Sequence, residues 1–551
     1  MNDCNIARFL PQLAKTRPND IAVSEPKVKS LWDYFTNQVT YPGLSFKEVE
    51  ERSNRFGAEL KRMGLKRGDK VLVFLKPSLN FSCMTFGLYK VGMIPIFIDP
   101  GMGKKNLLRA IEQIKPDGLI AEPIVHLIRL FYKNSFSSIR HFVTPSSIKF
   151  GKLESIQEWI RKGPVSDFKI EECSPETPAA ILFTSGGTGI PKGVLYTHRI
   201  FNSQVEKLKE MFQLGPGQVD IPGFPLFSLF TITMGMKSAI PQMNPSRPSQ
   251  VEPKKLVKNI LDNKGTFLAG SPAIWERVAD YCLEKKVTLP SVKQLVMFGA
   301  PVSPKLHNKL KTILINGDTF TPYGATECLP VACISGTEIL GEISERINLG
   351  NGTCVGRPAP GTIVKIAPIT DSPFLTAPIW KAPGELGEIC VFSETVTPEY
   401  VGMKEQTVAA KIYENGIAIG HRMGDLGFID PQGQIWFCGR KSHKIMRDKE
   451  VIPAVPYEAT FNQIPGVERT ALIGPILNGN LSLGLVVQLI PREKRNSKNI
   501  EAQIFEIAKK TYPHLNLQRI YFVKNLPVDV RHNIKIDRLE LKRKAEAGVM
   551  S

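Results

Sequence analysis

The run Ile181–His198, ILFTSGGTGIPKGVLYTH, narrows the choice of fold more than any other stretch. Its opening branched and aromatic residues predict a buried strand. That strand ends in a cluster of threonine, serine and glycine. Glycines leave backbone N–H groups uncovered, and successive N–H groups form a nest for phosphate oxygens. Thr184, Ser185 and Thr188 add hydroxyl donors, and Lys192 adds a mobile positive charge. The spacing does not fit GxxxxGKS/T, because Pro191 precedes the lysine. It does not fit GxGxxG either, because Lys192 stands where the last glycine belongs. Taken alone, a glycine-rich turn without a ligand satisfies the pattern as well.

The surrounding chain supplies the layers such a strand needs. Residues 43–150 alternate between helical periodicity, as in LSFKEVEERSNRFGAELKRMG and FSCMTFGLYKVG, and strand-like runs, as in DKVLVFLK and IPIFID. Alternating strands and helices predict an α/β domain with largely parallel strands, and the pattern continues through QLVMFGAP at 294–301. From about Thr362 the text changes to short strands, TIVKIAP, GELGEICVF and GQIWFCGR, separated by Gly, Pro and Asp turns, which predicts a small β-rich unit. After Arg440 the alternation returns with PYEATFNQI, RTALIGP, LGLVVQLIP, EAQIFEIAKKTY and RIYFV. A boundary near Gly439–Ser442 follows, with a C-terminal unit of modest size.

A chain of 551 residues exceeds what one hydrophobic core can serve, so two or more domains are expected. Apolar content of 42% with 22% charged residues excludes wholesale disorder. No segment reaches the roughly 18 consecutive apolar residues that cross a bilayer. The N-terminus, MNDCNIARFLPQLAKTRPND, lacks the basic-then-apolar pattern of a signal peptide and reads as a short amphipathic helix closed by Arg17 and Pro18. A cytoplasmic location is expected. Nine cysteines stand singly with no CxxC pair, which argues for free, buried thiols over a disulfide framework or a zinc site. The net charge of +19 thickens at PREKRNSKN and DRLELKRKAE. Without interleaved aromatics it does not predict nucleic-acid binding, and it suits an anionic membrane surface or an anionic substrate better.

Other segments give the loop its context. FGLYKVGMIPIFIDP (86–100), FGAPVSP (298–304), TPYGATE (321–327), GELGEICV (384–391), HRMGDLGFID (421–430), GQIWFCGRKSHKIM (433–446) and LPVDVRHNIKIDRLEL (526–541) follow in order along the chain. With TSGGTGIPKG, this series resembles the adenylate-forming superfamily of acyl-CoA synthetases, adenylation domains and luciferases. The resemblance implies an α/β adenylate-forming fold. It has a large N-terminal AMP-binding domain (1–438) of layered α/β subdomains plus a small β-rich unit. A hinge (439–442) and a small, mobile α+β lid domain (443–551) complete it. It also implies ATP and Mg²⁺ as cofactors, with a carboxylate attacking the α-phosphate while pyrophosphate leaves.

By that resemblance, Thr184, Ser185, Gly186, Gly187, Thr188, Gly189 and Lys192 hold the β- and γ-phosphates. Thr326 touches the α-phosphate and Glu327 binds Mg²⁺, a hard cation that prefers oxygen. Tyr323, beside Gly324, stacks on adenine, and Gly299, Ala300 and Pro301 form the opposite wall. Asp425 accepts from the ribose hydroxyls, and Arg440 contacts the ribose or a phosphate. Lys535 bridges carboxylate and α-phosphate in the adenylation step. His198 and His532 read as structural or supporting. The chain also departs from the family pattern. Gly187 stands in place of a hydroxyl residue, Ser442 in place of the hinge Asp or Lys, and Ser228 in place of an aromatic or His. The lysine of PVDVRHNIK lies two residues farther from its proline than in PKTxSGK. These departures spare adenylation and weaken the case for transfer to a thiol.

The wording of FPLFSLFTITMG, IPQMNPSRPSQVEP, GSPAIWERV, TPYGATECLPVA, GTCVGRP, WFCGRKSHK and VDVRHNIKI resembles the olefin β-lactone synthetases, to about Leu541. That likeness implies a long-chain 2-alkyl-3-hydroxyalkanoic acid as substrate. Its own 3-hydroxyl displaces AMP to close a four-membered lactone, with olefin-pathway enzymes as candidate partners. A tethered nucleophile gains from proximity, and an apolar pocket keeps water away. Phe224 to Met236 either line that pocket or pack the core. The alternatives are a fatty acyl-CoA ligase using coenzyme A and a stand-alone adenylation enzyme loading a carrier protein. A nucleotide-binding regulator without catalysis is disfavoured by the joint presence of Glu327, Asp425 and Lys535.

Overall fold

The computed structural model describes residues 3–27, 38–147, 151–184, 190–528 and 535–550. The alternation at 43–150 closes into a seven-stranded sheet ordered Leu153–Ser155, His141–Thr144, Gly118–Ala121, Lys70–Phe74, Ile94–Phe97, Pro178–Thr184 and Lys192–Thr197. Neighbours are parallel except the last two, which pair antiparallel with Thr184 opposite Lys192. The central strands are buried on both faces, which is why their sequences are unbroken apolar runs such as Val71–Leu72–Val73. On one face lies the helix Phe46–Arg62. Ser45 starts it by accepting from the Glu48 N–H, while the Glu48 carboxylate accepts from the Ser45 N–H at 2.7 Å. Glycine sets its spacing to the helix Leu79–Lys90, since a Cβ on Gly87 would lie 3.0 Å from the Ser53 carbonyl.

A larger sheet of fourteen strands has a parallel centre, Lys237–Ala239, Val219–Pro222, Phe267–Gly270, Gln294–Met297 and Asp318–Ala325. The short strands after Thr362 form the β-rich end of this sheet. Cys328–Ser335 folds back antiparallel on Asp318–Ala325 and pairs with Thr353–Pro358, which pairs with Ile435–Arg440. The β-rich region thereby continues the α/β sheet. Periodicity encodes the strands but not their lateral partners, and the hairpin Asp318–Ser335 supplies the seam.

From Ile445 onward a three-stranded sheet, Val467–Ile473, Gly484–Leu489 and Arg519–Val523, is covered on both faces. Leu472, Leu485 and Val487 face the helices Ala454–Phe461 and Ser497–Thr511. Ala471, Ile473 and Val486 face the helix Arg538–Glu546. This period-two alternation gives the region cores of its own. Its links to the preceding chain include the Thr460 hydroxyl, which donates to the Asn348 carbonyl at 3.0 Å. All nine cysteines are free thiols. Among the described residues no helix is long and apolar enough to cross a membrane.

Candidate active site

A cavity of about 1640 Å³ opens at the carboxyl ends of the parallel strands and extends to the C-terminal region. Thr184, Lys192, Gly299, Ala300, Pro301, Tyr323, Gly324, Thr326, Glu327, Asp425, Arg440 and Lys535 all line it. Ser185, Gly186, Gly187, Thr188, Gly189 and His532 lie outside the described residues. The topology accounts for the convergence. Pro178–Thr184 ends at the cavity, the turn after Gln294–Met297 delivers Gly299–Pro301, and Asp318–Ala325 ends beside Thr326 and Glu327. Open α/β sheets bind ligands at such strand ends.

Two carboxylate centres, a buried Asp425 and a half-buried Glu327, organise the polar wall. Asp425, on the strand Ile417–Ile429, pairs in register with Arg440 on Ile435–Arg440. Its Oδ1 accepts from the Arg440 guanidinium at 2.7 Å and its Oδ2 from the Tyr323 hydroxyl at 2.6 Å. Burial, then the neighbouring Asp425, pushes the Tyr323 phenol well above its ordinary range, so it remains a donor. Both carboxylate oxygens keep lone pairs, and the side chain is oriented before any ligand arrives.

Glu327 forms the second centre. Its Oε1 accepts from the Tyr400 hydroxyl at 2.7 Å, and Lys192 Nζ lies 4.7 Å from the centroid of the Tyr400 ring. The Glu327 carbonyl accepts from both the N–H and the hydroxyl of Thr397 at 3.0 Å, and the Thr326 carbonyl accepts from Tyr196 at 2.6 Å. The turn carrying Thr326 and Glu327 is thus held from several sides. Behind it, buried Lys411 donates to the Thr397 carbonyl and to His421 Nδ1, the latter at 3.2 Å. Burial lowers the Lys411 ammonium to about 8, against which Glu327 pulls upward, so it is charged at neutral pH. An ammonium can only donate, so His421 Nδ1 accepts and Nε2 carries the imidazole proton. Burial, then Lys411, holds His421 well below the usual histidine range, and this neutral ring lines the cavity.

The C-terminal region contributes Lys535 and Arg538 to the wall. Arg538 Nε donates to Glu458 Oε1 at 2.8 Å, and the same oxygen accepts from the Leu472 N–H at 2.8 Å. Away from the charges the cavity turns aromatic. Phe227 stacks on Phe298 at 5.4 Å, and Phe230 meets Phe201 edge-on at 5.7 Å. Of the stretch Phe224–Met236, the residues Phe224, Phe227, Leu229 and Phe230 line this arm, while Ile232, Met234 and Met236 pack the core. Ser228 is buried, and its hydroxyl donates to the Pro225 carbonyl at 2.6 Å. His198 is also structural, accepting from the Ile6 N–H at 3.2 Å.

Tyr400, Lys411 and His421 were not singled out from sequence. Tyr400 meets Glu327 across 73 positions, and Lys411 reads as a surface charge until its strand pairs it opposite His421. No local spacing marks them. Among the described residues no group of three His, Cys, Asp or Glu side chains could hold a metal.

Comparison with known proteins gives the family and the fold. Residues 12–401 match the family model described as AMP-binding enzyme. An olefin beta-lactone synthetase of Xanthomonas campestris pv. campestris is 36% identical over 549 residues, covering 98% of this chain and 97% of the relative. A long-chain-fatty-acid–CoA ligase of Escherichia coli O6:H1 is 23% identical, covering 92% and 91%. Among solved structures, ATP-bound MatB from Rhodopseudomonas palustris superposes with a TM-score of 0.78 at 18% identity, covering 99% of each chain, a likeness of fold. Strand-end cavity, family match and full-length relatives agree, and the chain belongs to the AMP-binding enzymes, which use ATP to form acyl adenylates.

Proposed function

We propose that the chain adenylates a long-chain 2-alkyl-3-hydroxyalkanoic acid and closes it to a β-lactone, releasing pyrophosphate and AMP. The observation that carries this reading is the continuity of one cavity from the Glu327–Asp425 wall to the aromatic arm around Phe227 and Phe230. An acid held there has its carboxylate among cations and its alkyl chains in an apolar channel. The name of the 36% identical relative supports the same product.

In the first half-reaction the carboxylate attacks the α-phosphorus and pyrophosphate departs. Two anions must meet, so catalysis rests on donors aimed at the transition state. Lys192, Thr184 and the segment Ser185–Gly189 are assigned to the β- and γ-phosphates, and Thr326 to the α-phosphate. Lys535 is assigned to bridge carboxylate and phosphate. Tyr323 and Gly299–Pro301 would enclose adenine, and Asp425, pre-oriented by Arg440, would take the ribose. Glu327 lines the cavity beside Thr326, and its carboxylate would fit a Mg²⁺ held jointly with substrate phosphates. Bound there, Mg²⁺ would neutralise phosphate charge. In the second half-reaction the 3-hydroxyl oxygen attacks the acyl carbon, the bond from that carbon to the phosphate oxygen breaks so that AMP leaves, and the hydroxyl proton passes to solvent. His421, which presents an N–H, would act as a donor in the cavity and not as the base. We divide the chain into an adenylation domain (1–438), a hinge (439–442) and a lid (443–551) that carries Lys535.

The test is a single reaction with a 2-alkyl-3-hydroxy acid, ATP and Mg²⁺ but no coenzyme A. AMP, pyrophosphate and a lactone detected by mass spectrometry are expected. AMP only upon adding coenzyme A, with a thioester product, would replace this reading by the acyl-CoA ligase suggested by the Escherichia coli relative's name. Lys535→Ala should abolish pyrophosphate release while calorimetry still detects ATP, and undiminished release would remove the role given to Lys535.

A further inference from the structure

The helix Pro123–Phe131, PIVHLIRLF, is built inside out. Its solvent side carries Ile124, Leu127, Ile128, Leu130 and Phe131, with Phe131 83% and Ile124 61% exposed. These are five of the twenty exposed large hydrophobic side chains among the described residues, gathered on nine positions. Its protein side carries the polar groups. His126 is fully buried with Nε2 3.0 Å from the Val143 carbonyl, and the Arg129 guanidinium lies 3.9 Å from the centroid of the Phe142 ring. The outward residues at 124, 127, 128 and 131 follow helical spacing, so they form one continuous stripe. A surface helix in water normally turns that stripe inward, and a concentrated exposed patch marks an interaction site.

Two further features say what covers it. Basic side chains rim the helix. Lys104 sits 4.6 Å over the ring of Tyr132, the residue that ends it; Lys105 and Arg109, on the same helix as Lys104, and Lys133, next to Tyr132 in the chain, are exposed. The whole chain carries +19. The helix also stands at the cavity mouth, because Pro123, Ile124 and Val125 line the cavity that reaches the aromatic arm. An apolar stripe with a cationic rim is the composition of a helix lying in a lipid interface.

We propose that the helix Pro123–Phe131 docks on an anionic bilayer surface and turns the cavity mouth toward the lipid. The outward side chains enter the acyl boundary, and Lys104, Lys105, Arg109 and Lys133 face the headgroups. A water-insoluble acid can then pass from bilayer to cavity without crossing bulk water. This delivery role rests on the long-chain substrate proposed above, whereas the docking itself does not.

The test is flotation of the full chain with vesicles of equal parts phosphatidylcholine and phosphatidylglycerol, against phosphatidylcholine alone. The chain should co-float with the anionic vesicles. Each basic side chain at the surface contributes roughly fivefold to binding, so Lys104→Glu with Lys105→Glu should weaken it strongly. Leu127→Ser with Phe131→Ser should weaken it by at least roughly tenfold. The serine variant should turn over a short, water-soluble 3-hydroxy acid at the parental rate, since neither side chain lines the cavity. Absence of flotation of the parent chain would overturn the proposal and leave the stripe as a protein-docking face. Equal flotation of parent and serine variant, or no preference for anionic vesicles, would overturn it too. Vesicle binding without turnover of any hydroxy acid would refute the substrate reading and leave the docking standing.

Discussion

Replacing Tyr400 by phenylalanine isolates one hydrogen bond at the centre of the site. The Tyr400 hydroxyl donates to Glu327 Oε1 at 2.7 Å, and burial, then Glu327 itself, raises the phenol above its ordinary range, so it stays a donor at any working pH. Tyr400→Phe keeps the ring under Lys192 and removes only the oxygen. A hydrogen bond to a charged group contributes about 1.5–3 kcal/mol. If Tyr400 aims the other Glu327 oxygen at the nucleotide–metal complex, that loss corresponds to roughly tenfold to hundredfold in kcat/KM. Continuous pyrophosphate release, measured at several Mg²⁺ concentrations, reads it directly. The deficit should be largest at low Mg²⁺ and partly recovered at high Mg²⁺, because an unaimed carboxylate binds the ion more weakly. The melting temperature should fall only modestly, since the change removes one hydrogen bond and leaves no void larger than a hydroxyl. A variant with parental kcat/KM at every Mg²⁺ concentration would refute the reasoning that Tyr400 orients Glu327.

Three other outcomes follow from the same geometry. Arg422 and Glu388 form a fully buried ion pair at 2.5 Å, which Lys441 joins at 3.1 Å. Glu388→Gln strands two cations and should cost about 3–5 kcal/mol, seen as a lower urea midpoint, and an unchanged midpoint would contradict it. Lys411 titrates near 8 in the fold against 10.5 unfolded, so the unfolded chain binds the extra proton between those values. Its contribution to stability therefore rises with pH across that window. Pyrophosphate release should decline above about pH 8 as the Lys411 ammonium behind Glu327 and His421 loses its charge, a decline that Lys411→Met should lack, and its persistence in the variant would exonerate Lys411. Phe230→Trp narrows the aromatic arm and should shift the preferred acid to shorter chains in a homologous substrate series, which an unaltered chain-length profile would contradict.

The strands and helices, and the polar residues now found on one cavity wall, were legible in the linear text. Strand runs such as Val71–Leu72–Val73 are apolar because both faces are covered, and the Ser45–Glu48 capping pair announces its helix locally. The segments around Gly299, Tyr323, Glu327, Asp425 and Arg440 stood out through their resemblance to the adenylate-forming superfamily. Lateral partnership is a different matter. Asp425 is set by its register against Arg440 and by Tyr323 from another strand, and Glu327 by Tyr400 far along the chain. Lys411 becomes a buried cation only when its strand pairs opposite His421. The helix Pro123–Phe131 has an ordinary amphipathic sequence, and only its seat against Val143 and Phe142 turns the apolar stripe outward. Backbone periodicity and local motifs are properties of neighbouring residues, so one dimension carries them. Which face is buried, and which charge meets which, depends on distances that exist only after the sheets assemble.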